Sequence, residues 1–225
     1  MFSRLLVALV IAGFPPVVAA LPFGAATAQP KFDHPASHEP DRVKVTLSDD
    51  QARRFMDDFA RCIASRQSVR AAAALALPYG SPQQQKAASA LAGRHSDCIG
   101  PYSGTLQLSF DAPSLAAGMA EYFLANPGEI AEQRRRDPRS FTRVQPTALE
   151  TFGECVVAQN PAAVEALVKS DVASDAETAA GDALAHQLAQ CISEGQTLAL
   201  DRGALRQLLA VSLYKHVAMP ASAQP

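Results

Sequence analysis

The sequence contains no tryptophan, and aromatic side chains make up only 6% of its 225 residues. Sites that hold sugars or bases by stacking need aromatic side chains, so this scarcity argues against both classes. An excess of charge of one sign is also lacking, because 20 basic side chains are balanced by 22 acidic ones. Such a chain creates no strong field for nucleic acid or a membrane surface, and we expect no nucleic-acid partner.

Catalytic motifs are missing as well. The sequence has no Gly-x-Ser-x-Gly, no glycine-rich phosphate loop and no His-Glu-x-x-His, the usual markers of hydrolases, nucleotide-binding proteins and metalloproteases. His34 and His38 lie beside acidic residues and could hold a metal loosely, but we interpret them as exposed polar residues. His95 and His186 do not match in the repeat described below, and His216 ends the last predicted helix, where a cation suits the dipole. No catalytic, cofactor-binding or metal-binding residue is predicted.

The first 28 residues have the composition of a secretory signal peptide. Arg4 gives a positive start, residues 5–14 form a short apolar core, and small residues at 26 and 28 provide a cleavage site. Two prolines interrupt the apolar run well before the roughly 20 residues that span a bilayer. No cysteine for lipid attachment precedes Cys62. We therefore expect export to the periplasm or the medium, without a membrane anchor after cleavage.

An internal repeat organises the rest of the chain. The motif F-x-x-C ends at Cys62 and again at Cys155, and in each case another cysteine follows 36 positions later, at Cys98 and Cys191. The two regions align without a gap from the first cysteine to the second. Equal spacing favours a duplication over a chance likeness between alanine-rich helices.

The four cysteines predict two disulfides. In an exported chain, paired cysteines are first interpreted as disulfides, and four cysteines allow three pairings. A duplication copies an internal bond together with its spacing, which favours Cys62–Cys98 and Cys155–Cys191. A structural zinc site is the alternative, but such sites use cysteine pairs two to four residues apart, and the sequence has none.

Helix starts are marked by capping residues. Ser48 precedes a glutamine three positions later, the pattern of a reciprocal capping box. The same spacing recurs at Ser81 and, with a glutamate, at Ser174. Asp111 and Asp201 precede the last apolar helix of each repeat and are predicted to cap it.

These signals predict an order of segments along the chain. Each repeat has about four stretches with apolar residues at helical spacing, and proline clusters separate them. The predicted layout is a signal peptide at 1–28, a flexible leader at 29–47, a first helical repeat at 48–128, a connector at 129–146, a second helical repeat at 147–217 and a disordered tail at 218–225.

Three local features allow two interpretations each. The T-L-x-L segments at 105–108 and 197–200 could pair as short strands, although extended loops are preferred. Arg61 and Glu154 occupy matching positions and either form an ion pair between the repeats or simply face water. The arginines at 134–136 are interpreted as a solvated helix end rather than an anion contact.

The repeated F-x-x-C motifs, with T-L-x-L and a helix after each second cysteine, resemble a family of exported bacterial proteins of unassigned function. The resemblance covers residues 56–125 and 149–217 and leaves out the leader. It implies no activity and assigns no role to any residue.

The prediction is an all-α protein made of two tandem copies of a roughly four-helix, disulfide-linked unit packed together. Packing, capping or a disulfide explains every matched position, so the leading function is a non-catalytic binding or interaction module with a protein or small-molecule partner. The alternative is an enzyme or small-ligand carrier with a site between the repeats. A deep cleft with buried charged side chains would favour the alternative, and a flat apolar patch would favour a protein partner.

Overall fold

The computed structural model describes residues 47–95, 97–99, 110–142, 144–193 and 197–219. Within these ranges the regular secondary structure is entirely helical, which confirms the all-α prediction. The T-L-x-L segment at 197–200 forms no strand. The signal peptide, nearly all of the leader and the segment at 105–108 lie outside the described residues.

The described residues form ten α-helices and two short 3₁₀ turns, at 97–99 and at Pro138–Phe141. None of the described helices is long and apolar enough to cross a membrane. The α-helices are α1 Asp49–Arg66, α2 Ser68–Ala76, α3 Pro82–Ala92, α4 Ala112–Ala125, α5 Pro127–Arg136, α6 Ala148–Gln159, α7 Pro161–Lys169, α8 Asp175–Ala183, α9 Ala185–Cys191 and α10 Arg202–Ala218.

The first helix of each half starts with a reciprocal capping box. Ser48 Oγ accepts from the Gln51 N–H at 3.3 Å, and Gln51 Oε1 accepts from the Ser48 N–H at 2.9 Å. Thr147 and Glu150 form the same pair of bonds at the start of α6, at 3.2 and 2.7 Å. Each box satisfies two backbone donors that the helix itself leaves free.

The boxes predicted at Ser81 and Ser174 form only in part. Each serine caps its helix, but the side chain three positions later reaches one residue further back than predicted. Gln84 Oε1 accepts from the Gly80 N–H and Glu177 Oε2 from the Ala173 N–H, each at 2.8 Å. Gly80 and Ala173 have φ values of 69° and 57°. This left-handed conformation turns their N–H groups towards the buried side chains.

The core lies along α4 and α10, which pack against each other. Helix α1 covers α4, and α6 and α7 cover α10. Two helix crossings are so close that only glycine fits: a Cβ on Gly118 would lie 2.5 Å from the Ala60 Cβ, and a Cβ on Gly153 would lie 2.2 Å from Ser212 Oγ. Both glycines therefore allow the backbones of two helices to approach closely.

The structure contains the two disulfides that a duplication predicts. Cys62 bonds to Cys98 and Cys155 to Cys191, with the Cα atoms 5.7 Å apart in both pairs. Their elements differ between the halves. Cys98 lies in a 3₁₀ turn after α3, whereas in the second half the helical segment breaks at Leu184, so that Cys191 ends a separate helix, α9. The duplication itself remains a prediction.

Candidate ligand site

A buried ion pair joins the two central helices. Glu121 of α4 and Arg206 of α10 are both 3% exposed. Arg206 donates from Nε to Glu121 Oε1 at 2.8 Å and from Nη2 to Glu121 Oε2 at 2.9 Å. Two parallel bonds between charged groups are the strong form of this interaction, and the pair fixes α10 against α4.

Arg206 also closes the end of α7. Its Nη1 donates to the Leu167 carbonyl at 2.9 Å and to Ser170 Oγ at 3.1 Å, and its Nη2 donates to the carbonyls of Val168 and Ser170, both at 2.9 Å. The last carbonyls of a helix have no partner within the helix. The guanidinium supplies donors to them, so one side chain holds three helices together.

Helix α1 adds a second arginine to Glu121. Arg61 donates from Nε to Asp57 Oδ2 at 2.8 Å and from Nη2 to Glu121 Oε2 at 3.0 Å. The ion pair between Arg61 and Glu154 that the matching positions suggested is therefore replaced by one with Glu121 of the first half. Asp57 Oδ1 is buried and has no hydrogen-bond partner among the described residues.

Glu177 of α8 connects the same group of charges to the second half. It pairs with Arg53 of α1, and its Oε1 lies 3.6 Å from Nη1 of Arg206. The neighbouring Arg54 donates to the carbonyls of Val172 and Ala173 at 3.2 and 2.9 Å. Two adjacent arginines of α1 therefore hold the turn before α8.

Burial shifts the acid–base equilibria of these groups. It raises the pKa of Asp57 and of Glu121, although the nearby arginines act in the opposite direction. Burial also disfavours the charge on Arg206, but the hydrogen bonds and charge of Glu121, with the charges of Glu177 and Asp57, outweigh it and raise the pKa of Arg206. Carboxyl groups with raised pKa values next to a cavity are a common feature of functional sites.

Glu121 separates two cavities. The smaller, of about 180 Å³, lies between α1, α4 and α10 and is lined by Met56, Gly118 and Arg206 among others. The larger, of about 780 Å³, lies between α4 and α5 on one side and α7 and α10 on the other. We call it the interhelical cleft. It combines walls from both halves of the chain with a buried charged group at its inner side.

The interhelical cleft has an apolar floor and a charged rim. Ile130, Val168 and Leu213 line it and are each 5% exposed. At the rim, Lys169 and Glu165 form an exposed ion pair at 2.6 Å. An apolar pocket with a few polar groups is typical of small-molecule sites.

A second buried ion pair lies apart from the cleft. Lys215 Nζ donates to Glu150 and, at 2.7 Å, to the Leu77 carbonyl. Burial raises the pKa of Glu150, but the hydrogen bond and charge of Lys215 and the backbone N–H groups of Thr147 and Tyr79 outweigh it, so the pKa is lowered. This pair joins α10, α6 and the turn after α2, and its role is structural.

The three histidines that the structure describes do not form a metal site. His95 Nδ1 lies 3.8 Å from Asp97, and His186 Nε2 lies 2.8 Å from the amide nitrogen of Gln190. His216 lines the interhelical cleft. Across the described part of the chain, no group of three or more His, Cys, Asp or Glu side chains could hold a metal ion. His34 and His38 lie outside it.

The connector arginines have different roles. Arg135 and Arg136 pair with Glu132 on the exposed side of α5, as expected for a solvated helix end. Arg134 instead donates to the Val217 and Ala218 carbonyls at the end of α10, and its guanidinium lies 5.7 Å from the centre of the Phe141 ring. Arg134 is exposed like the other two, as expected for a solvated helix end, and its guanidinium additionally contacts α10 and Phe141.

Sequence reasoning missed the central pair, although a signal was present. Helix α4 is buried on nearly all sides, from Ala112 to Phe123, and Glu121 is its single charged residue. A helix that is apolar all round is buried, and a charge within it needs a partner. Arg206 falls three positions before the buried Leu209, on the same side of α10. The partner of each could not be read from local spacing.

No protein-family model, curated protein or solved structure matches the chain. The function of the cleft is therefore argued from its own geometry.

Proposed function

We propose that the protein is an exported, non-catalytic binding protein that takes a small, largely apolar molecule into the interhelical cleft. The observation that carries this proposal is the cleft itself, about 780 Å³ in volume and walled by both halves. That volume falls within the range of roughly 300–1,000 Å³ that is usual for small-molecule sites. Of the two functions considered from the sequence, the small-ligand carrier is thus favoured.

The lining of the cleft supports binding rather than catalysis. No serine, threonine or cysteine lines it among the described residues, so the hydroxyl and thiol nucleophiles are missing there, and Lys169 and Glu165 are paired with each other. The buried carboxylate, Glu121, has both oxygens engaged by guanidinium donors. A carboxylate held in this way is suited to fixing the cleft wall and poorly suited to proton transfer.

The exposed apolar side chains support a protein partner less than the cleft supports a small ligand. In the described part of the chain, five large apolar side chains are at least 36% exposed, and each lies on a different segment. These are Leu47, Val69, Val144, Ile192 and Val217.

Export is part of the proposal. Two disulfides indicate folding in an oxidising, extracytoplasmic compartment. The signal peptide predicted at 1–28 supports export to the periplasm or the medium.

The proposal is tested by filling the cleft. Ala162 is exposed at the start of α7 and lines the cleft, whereas Ala166, one turn further along the same helix, is exposed but is not part of the lining. We expect wild-type protein to be stabilised against heat by members of a library of small apolar and amphipathic molecules. Ala162→Phe should abolish this stabilisation, and Ala166→Phe should leave it intact. Equal responses of the two variants, or no response of the wild type, would contradict the proposal.

A further inference from the structure

One cationic side chain in the interhelical cleft has unused hydrogen-bond donors. Arg61 is about one-third exposed, with a side-chain exposure of 36%, and lines the cleft. Its Nε and Nη2 make the ion pairs with Asp57 and Glu121, while Nη1 has no hydrogen-bond partner among the described residues. A guanidinium with free N–H groups beside an apolar floor is suited to receive a carboxylate.

The acidic groups of the cleft are already paired. Glu121 Oε1 accepts from Arg206, and its Oε2 accepts from both Arg206 and Arg61. Glu165 is paired with Lys169 at the rim. The lining therefore offers spare donors at Arg61 and no spare carboxylate at its inner side, which disfavours a cationic ligand and favours an anionic one.

Helix ends of both polarities line the cleft, so they do not decide the charge of the ligand. Helices α5 and α7 begin at Pro127 and Pro161, which both line the cleft, and a helix N-terminus carries partial positive charge. The last residues of α4 and α7, Ala125 and Lys169, also line it, and a helix C-terminus carries partial negative charge. The preference for an anion therefore rests on Arg61.

We propose that the ligand of the interhelical cleft is an amphipathic anion, with an apolar chain lying over Ile130, Val168 and Leu213 and a carboxylate bound by Arg61. This inference rests on the proposed function and names its ligand class. A single-chain fatty acid has the required chemistry, because it combines a flexible apolar body with one carboxylate.

The test compares head groups on one apolar chain. Binding of dodecanoate, dodecan-1-ol and dodecylamine to wild-type protein is measured by titration calorimetry below their aggregation limits, with acetate as a control for the charge alone. We expect dodecanoate to bind about tenfold or more tightly than the alcohol, and the amine and acetate to bind most weakly.

Variants locate the carboxylate. Arg61→Gln should weaken dodecanoate binding by about tenfold, because the charged contact with the carboxylate is lost. Dodecan-1-ol binding should stay unchanged, and this comparison controls for any effect on the cleft of losing the ion pairs of Arg61 with Asp57 and Glu121. Arg202→Gln, an exposed arginine outside the cleft, should change neither. Binding of alcohol or amine as tight as that of dodecanoate would overturn the anionic ligand while preserving the binding cleft. No binding of any of the three chains would overturn both proposals.

Discussion

The strongest prediction concerns Arg206, whose five N–H groups donate to six acceptor atoms of Glu121 and of the end of α7. Arg206→Met keeps an unbranched apolar stem but leaves Glu121 buried with one of its two arginine partners removed. Breaking a buried ion pair costs about 3–5 kcal/mol, and the lower end applies here because Arg61 still pairs with Glu121. The three carbonyls at the end of α7 lose their donors as well, each worth about 1 kcal/mol. The free energy of unfolding should therefore fall by about 6 kcal/mol.

The paired variant shows whether the charge is the cause. Glu121→Leu alone leaves Arg206 buried without its carboxylate and should cost about 3–5 kcal/mol. In the double variant both charges of the pair are removed, so neither is left buried without its partner. The total cost should therefore be about 3 kcal/mol or more below the sum of the costs of the two single variants. The cost that remains then comes only from the contacts that α7 and Arg61 lose.

Urea unfolding followed by far-ultraviolet circular dichroism provides the assay, since the chain has no tryptophan for fluorescence. Arg202→Met is the matched control, because Arg202 lies on the same helix with its side chain 63% exposed. It should change stability by less than about 0.5 kcal/mol. If the costs of Arg206→Met and Glu121→Leu add within about 0.5 kcal/mol, the reasoning about the buried pair is refuted.

Two further predictions concern stability. Gly80→Ala should destabilise the protein by about 1–2 kcal/mol, because an alanine is strained at the positive φ found there. Ala173→Gly should stabilise it by up to about 1 kcal/mol, because it relieves the same strain. Chemical unfolding measures both changes in stability, and changes of the same sign would contradict the explanation. Glu150→Gln should cost stability at pH 6 and progressively less towards pH 3. The lowered pKa of Glu150 provides stability that is present above its unfolded value and is lost as the pH falls through the folded value, so a pH-independent cost would oppose this account.

Local signals predicted the helix starts well. Ser48, Asp111 and Asp201 each accept a backbone hydrogen bond at a helix start, as their residue types and positions indicated. Such caps involve groups three residues apart, so one short stretch of sequence contains both partners. The two disulfides were predictable for a different reason, because equal spacing along the chain limited the choice of partners.

Features that depend on the tertiary arrangement were not predictable in this way. Glu121 and Arg206 are separated by 85 positions, and either could pair with many other charges. Gln84 Oε1 accepts from the Gly80 N–H and not from the predicted Ser81 N–H, because the left-handed turn at Gly80 presents its N–H to the buried amide. The break at Leu184 has no proline to signal it, and Leu184 itself is fully buried.

The close helix crossings limit how alike the two halves can be. Ala60 and Gly153 occupy matching positions, yet in the first half the glycine of the crossing is Gly118 on α4, and in the second it is Gly153 on α6. A copy of α1 placed at α6 would put the Ala60 methyl group on Ser212, where even a bare Cβ would lie only 2.2 Å from the hydroxyl oxygen. The halves are therefore not interchangeable parts, and residues 153 and 212 are free to vary only as a pair.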